Sequence, residues 1–290
     1  MSLTLPISLC IINGYPRANR QVLDDAGVSQ ADELYLQFLR SYLPNGTFDI
    51  LYVADLDVGL PVGAGLTSYD GFIWTGSNLT LYHDRPEVTR QIELSRAIFE
   101  AGLPQFGSCW GVQMAAVAAG GEVRKNPNGR EWCLAREIRL TEAGQHHPLY
   151  TGKPVQFDGF IMHLDEVSRV PQGGTVLASN RHTPVQALDV RHPSGGAFWA
   201  TQYHPEFNLY AMARLLIARK KPLTDEGFFA AEDDVQAYAE SLIQLTRDPS
   251  NQELRRELKI GDDVLVDTLR QAELRNWLEF LVVPQMRQAA

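Results

Sequence analysis

The sequence predicts an α/β protein: a doubly wound, mostly parallel sheet flanked by helices, with a C-terminal helical extension. Three observations predict it. Up to about residue 122, short continuous apolar runs alternate with amphipathic helical stretches, the pattern of strands buried between two helical layers. Beyond that point β-like runs follow one another, separated by Gly, Pro and Asn turns. From Glu206 onward the chain reads as helical.

The elements follow in order. "LPISLCII" (5–12) is a continuous apolar run closed by Asn13-Gly14, as a buried parallel strand is. A polar loop comes next, then "ADELYLQFLRSYL", with Leu34, Phe38, Leu39 and Tyr42 at helical spacing and Pro44-Asn45-Gly46 as its stop. "FDILYVAD" and "YDGFIWTGS" are the second and third strands. "RPEVTRQIELSRAIFEAG" is a helix with Pro86 near its start and Gly102 at its C-terminal end. "LPQFGSC" is a fourth short strand. The later runs "REWCLAREIRLT", "VQFDGFIMH", "GTVLASN", "PVQALDV" and "GAFWATQYH" extend or flank the same sheet. Helices are expected over "LYAMARLLIARK", "DEGFFAAEDDVQAYAESLIQLTR", "NQELRRELK" and "DDVLVDTLRQAELRNWLEFLVV", with breaks at Pro222, Asp248-Pro249-Ser250 and Gly261. This gives an α/β domain over 1–221 and a helical extension over 222–290.

Composition narrows the function. The 290 residues are 44% hydrophobic and 21% charged, ordinary values for a globular protein with a full core. A net charge of −9 and the absence of a long Lys/Arg run argue against nucleic acid or anionic membrane as partners. Three scattered cysteines, 10, 109 and 133, make no disulfide framework, and no zinc-type spacing occurs, so neither a metal nor any cofactor is expected. No signal-peptide pattern or apolar run of the ~18 residues that span a bilayer is present. A cytoplasmic protein is expected. Gly63-Ala64-Gly65 follows no strand-to-helix junction and reads as a loop, and no G-x-x-x-x-G-K-[ST] phosphate loop occurs.

The chemistry lies in "FGSCWGVQ". A cysteine at the end of a strand, on a tight turn into a helix, is presented clear of the sheet, and flanking glycines relieve the crowding. The helix N-terminus favours the thiolate and offers backbone N–H groups to an oxyanion. Alone, Cys109 reads equally as a nucleophile or as a small core residue. A thiol attacking a carbonyl needs a base, and the base an orienter. Among seven histidines, His204 in "ATQYHPEF" ends an apolar β-like run, with Glu206 two residues on and on the same side.

In combination, "FGSCWGVQ", "QYHPEF" and "TGSNLT", with "MHLDEVSRVPQGG" between them, resemble the class I glutamine amidotransferase family over roughly residues 7 to 210, in the family's order and spacing. The resemblance implies a flavodoxin-like sheet. It makes Cys109 the nucleophile that forms a γ-glutamyl thioester, His204 the general base and acid, and Glu206 its orienter. The Trp110 N–H would be one oxyanion donor. The family's second donor lies in a Gly-Gly-Pro-x-Ser loop; here Gly76 is followed by Ser77 in place of the second glycine. Gln113 matches the glutamine that contacts the amino-acid end of the substrate. His163 and Asp165 fall beside the pocket, as supports for substrate or as structural residues. Cys133 departs from the family's pattern and reads as packing.

The reaction implied is hydrolysis of glutamine with release of ammonia to a separate acceptor, such as a synthetase, because no nucleotide motif follows the α/β part. The alternative is a stand-alone γ-glutamyl hydrolase or peptidase acting on γ-glutamyl amides. A cysteine α/β-hydrolase would carry its acid on a separate loop, and a silent binding module would not need all three residue types. The apolar stripe Leu274, Trp277, Leu278 and Leu281 needs burial, so the helical extension is expected to pack against the α/β domain and to form a homodimer face or a lid.

Overall fold

The apolar run near the N-terminus becomes β1 (Ser8–Asn13), in which every residue after Ser8 is buried, as expected for a strand covered on both faces. The structure is a computed structural model and describes residues 2–289. In chain order there follow α1 (Arg17–Asp25), α2 (Ala31–Tyr42), β2 (Thr47–Tyr52), β3 (Gly71–Trp74), α3 (Pro86–Glu100), β4 (Pro104–Ser108), α4 (Trp110–Ala118), β5 (Glu122–Lys125) and β6 (Glu131–Leu140). Then come α5 (Glu142–His146), β7 (Gln156–His163), β8 (Asp165–Arg169), β9 (Gly174–Ser179), β10 (Ala187–Arg191) and β11 (Ala197–Thr201). The C-terminal part holds α6 (Leu209–Ala218), α7 (Lys220–Asp225), α8 (Glu232–Arg247), α9 (Gln252–Leu258), α10 (Asp262–Leu265), α11 (Asp267–Arg270), α12 (Ala272–Trp277), a π turn (Leu278–Val282) and α13 (Val283–Ala289).

A 9-stranded sheet has the order β2-β1-β3-β4-β11-β10-β9-β6-β7. From β2 to β11 the strands are parallel; β10, β9, β6 and β7 complete it in antiparallel pairs. β5 and β8 pair separately as a short antiparallel ribbon. The chain reverses winding between β1 and β3, and the C-terminal ends of β1, β3, β4 and β11 share one edge. In such sheets that edge carries the ligand crevice.

Alternation along each strand divides the core in two. Cys10, Ile12, Phe72, Trp74 and Phe198 face α3 and α4. Leu9, Ile11, Ile73, Phe106 and Trp199 face α2 and, with it, Leu274, Trp277, Leu278, Leu281 and Val282 of the C-terminal helices. The Trp277 ring lies 5.9 Å from that of Phe106. It also sits where a side chain on Gly71 would be, 3.1 Å from an added Cβ. At ~25 cal/mol per Å² over the ~150–250 Å² of an aromatic side chain, such burial stabilises by several kcal/mol. The C-terminal segment thus forms the second helical layer of the sheet. It is also held by polar contacts: Asn276 donates to the Leu149 and Thr151 carbonyls (2.8 and 2.9 Å). Glu273 pairs with Lys153 (2.5 Å) in full burial, and burial pushes the Lys153 ammonium down from its usual range.

Several boundaries differ from expectation. The polar loop after β1 contains α1, whose one buried residue is Leu23; ion pairs of Arg17 and Arg20 with Asp55 anchor it in place of an apolar stripe. Pro222 lies in the first turn of α7, where its missing N–H has no helical partner to lose. The long stretch from Asp262 is interrupted at Val266, whose backbone is extended. The helix expected from Asp225 begins at Glu232, after a turn with Gly227 at φ 80. No helix among the described residues is long and apolar enough to cross a membrane.

Candidate active site

Cys109 occupies the turn between β4 and α4 with φ 54 and ψ −95, a conformation that costs a non-glycine residue about 1–3 kcal/mol. Its N–H donates to the Thr201 carbonyl at the end of β11 (2.7 Å). Of the flanking glycines, Gly107 is required by close approach, whereas a Cβ on Gly111 would meet Trp74 only at 3.5 Å. A Cβ on Gly107 would stand 2.8 Å from the Gly111 Cα and 2.9 Å from the Trp74 Cβ. The strand and helix therefore meet too closely for a side chain at position 107.

The loop after β11 brings His204 and Glu206 to the same place. The His204 Nδ1–H donates to Glu206 Oε1 at 2.7 Å, both side chains buried, which leaves Nε2 for the cavity. A point beside Gly76 lies 3.3 Å from His204 Cε1 and 4.0 Å from Cys109 Cβ, so imidazole and thiol border the same space. Burial alone would lower the His204 pKa, but the Glu206 carboxylate and the Cys109 sulfur raise it to about 10. The arrangement favours an imidazolium beside the Cys109 sulfur.

Gly76 and Ser77 follow β3 directly. The Ser77 hydroxyl donates to the Gly14 carbonyl (2.8 Å) and accepts from the Leu79 N–H (3.1 Å), which fixes the loop without glycine at position 77. The backbone N–H groups of Ser77 and Trp110 meet no acceptor among the described residues. The Trp110 ring is held by its Nε1–H donating to Gln91 (2.8 Å).

These residues border a cavity of about 350 Å³ that is also lined by Tyr15, Tyr82, Gln113, Arg130, His163, Asp165 and Arg219. Gln113 Nε2 donates to the Asp165 carbonyl (3.0 Å), so its Oε1 remains as an acceptor. The His163 Nδ1–H donates to the same carbonyl (2.8 Å), and Nε2 faces Glu131 at 3.0 Å. His163 thus has both ring nitrogens engaged while lining the cavity. Asp165 accepts from the Tyr82 hydroxyl (3.1 Å), and burial pushes its carboxyl above the usual range.

Glu131, His163 and His182 bring ligand-type atoms within 4.8 Å of one another. The Glu131 carboxylate is already filled by donors from Asn180 (2.6 Å), Gln186 (2.9 Å) and Thr183 (3.3 Å) besides His163, so the group reads as a buried hydrogen-bond network. Cys10 and Cys133 lie away from the cavity lining, and burial pushes their thiols up to about 12 and about 11.

Sequence reading passed over Ser108, Tyr35 and Tyr15. The Tyr35 hydroxyl donates to Ser108 Oγ (2.8 Å), which donates to Glu206 Oε1 (2.7 Å). This chain places a second donor on the carboxylate that holds His204. Ser108 stands inside the cysteine motif, and its polarity in an otherwise apolar strand end was the available signal. Ser108→Ala is expected to lower kcat about tenfold, the worth of one hydrogen bond to a charged group, with KM little changed. Steady-state kinetics checks the split.

Comparison with known proteins gives consistent findings. The family model "Glutamine amidotransferase class-I" matches residues 76–220. A Pseudomonas gamma-glutamyl-L-1-hydroxyisopropylamide hydrolase is 32% identical over 283 residues, covering 96% of this chain and 94% of that protein. A Leifsonia xyli GMP synthase [glutamine-hydrolyzing] is 32% identical over 136 residues, 47% of this chain and 25% of the synthase. A glutamine amidotransferase of Thermotoga maritima superposes with a TM-score of 0.66 at 18% identity, covering 96% of this chain and 99% of that one.

Proposed function

The chain belongs to the glutamine amidotransferase class-I family, and from that premise we propose that it hydrolyses γ-glutamyl amides on its own, through a γ-glutamyl thioester on Cys109. The observation that carries this reading is the relative matched over nearly the whole chain, C-terminal helices included, which is named a hydrolase of a γ-glutamyl amide. The match to the GMP synthase stops at 47% of the chain. The order of the two readings drawn from sequence is thereby reversed: the partner-free hydrolase comes first, and ammonia delivery to a separate acceptor second.

The mechanism follows from the groups present. The Cys109 thiolate adds to the γ-carbonyl carbon, and the oxyanion accepts from the Ser77 and Trp110 N–H groups. The His204 imidazolium gives its Nε2 proton to the nitrogen, the C–N bond breaks, and the amine leaves. Water then adds to the thioester with His204 as base, the C–S bond breaks, and glutamate leaves with the thiolate restored. Glu206 holds the Nδ1–H throughout and stabilises the imidazolium. Gln113, with its Oε1 free, receives the α-ammonium of the γ-glutamyl group, and Asp165 adds negative charge beside it.

Turnover by the isolated chain tests this. Purified protein, with no second protein present, is expected to release the amine and glutamate from a γ-glutamyl alkylamide faster than it releases ammonia from glutamine. Silence on every amide until an acceptor protein is added would favour the amidotransferase-subunit reading instead.

A further inference from the structure

The cavity has a second lining group that the steps above do not use. Leu215 of α6, Arg219 between α6 and α7, and Pro222 and Leu223 of α7 all face it. Two of its cations differ in state. Arg130 is taken by Glu226 in a bidentate pair (2.7 and 2.8 Å). Arg219 is partly buried, and no carboxylate among the described residues pairs with it. It lies near the Tyr15 phenol: burial pushes the Tyr15 pKa up to about 12, against a downward pull from Arg219.

The division of chemistry is informative. Gln113 Oε1 and the Asp165 carboxylate offer acceptors and negative charge, which suit an ammonium. The α6–α7 segment offers a small apolar wall and one unpaired guanidinium, which suit a short aliphatic group bearing a carboxylate. An unpaired guanidinium at the wall of this cavity is open to an anionic group of a bound ligand.

We propose that the α6–α7 segment is the leaving-amine subsite and that Arg219 reads a carboxylate on that amine, so that γ-glutamyl derivatives of small apolar amino acids are the preferred substrates. The assignment rests on the hydrolase reading above and extends it to the amine. Arg219 is a specificity residue here; it takes no part in bond making.

The test compares kcat/KM of wild type and Arg219→Gln on γ-glutamyl-alanine, γ-glutamyl ethylamide and glutamine. The variant is expected to lose roughly tenfold or more on γ-glutamyl-alanine, the effect of removing a charge-assisted hydrogen bond, and to keep wild-type rates on the other two. Retained activity on γ-glutamyl ethylamide also serves as the folding control. Equal losses on all three would assign Arg219 to the α-carboxylate shared by every substrate and overturn the proposal. So would an unchanged variant, or a wild type that prefers the ethylamide. A wild type silent on all γ-glutamyl compounds would instead overturn the hydrolase reading, and this assignment with it.

Discussion

Cys109→Ala is expected to lower kcat by about four to six orders of magnitude, as loss of a nucleophile does in acyl-transfer enzymes, while the protein stays folded. Nothing else in the cavity replaces the thiol: Cys10 and Cys133 lie outside its lining, with thiols pushed up by burial. The fold should tolerate the change, because the Cys109 sulfur contacts only the Met162 carbonyl, weakly at 3.8 Å, and the His204 imidazole, which Glu206 still holds. The backbone at Cys109 stays strained in the alanine variant, with φ 54. Cys109→Gly relieves that strain and is expected to melt higher than Cys109→Ala, by about 1 kcal/mol in stability. Steady-state assays and thermal unfolding of the two variants measure both effects. A Cys109→Ala protein with wild-type turnover would remove the basis of the mechanism.

Glu206→Gln is expected to cost about two to four orders of magnitude in kcat, by analogy of role with the carboxylate of other nucleophile–histidine systems. The pH profile gives the sharper reading. In the wild type, burial works to lower the His204 pKa and is overcome by Glu206 and Cys109, leaving it at about 10. The imidazolium proposed as the proton donor to the leaving amine therefore persists well above neutrality. Without the Glu206 charge, burial weighs more, and the alkaline limb of the rate profile moves toward neutral pH. Stability moves with it. The folded pKa of His204 lies above the unfolded value of about 6.5, so its stabilisation is full below that pH and fades as pH rises through about 10. The gap in Tm between wild type and Glu206→Gln is expected to be widest just below about pH 6.5 and to shrink as pH rises toward about 10. An unmoved alkaline limb would show that Glu206 does not set the charge of His204.

The parallel half of the fold was legible because its strands are continuous apolar runs: β1 is buried after its first residue, and "LCII" can take few other forms. α1 was not, because ion pairs with Asp55 hold it and the sequence carries no apolar stripe there. The stripe of Leu274, Trp277, Leu278 and Leu281 showed that the C-terminal helices must bury a face. It pointed to the α/β domain as the surface they cover but not to the notch that receives Trp277, which is made by a glycine far away at position 71. The same limit applies in the cavity. The residues brought together as Cys109, His204, Glu206, Gly76, Ser77 and Gln113 stand in motifs with local grammar. Tyr35 reaches Ser108 across 73 positions, and Arg219 lines the cavity from the junction between α6 and α7. Neither relation has a local pattern to read. His163, left open between support and structural histidine, lines the cavity while both its nitrogens are engaged.

The γ-glutamyl thioester proposed on Cys109 can be sought directly. Enzyme quenched in acid during turnover of a γ-glutamyl amide, then digested, is examined by mass spectrometry peptide by peptide. The expected result is a glutamyl increment on the peptide holding Cys109, present only with substrate, with Cys10 and Cys133 unmodified. Full turnover with Cys109 never modified, even when hydrolysis of the acyl group is slowed, would contradict it.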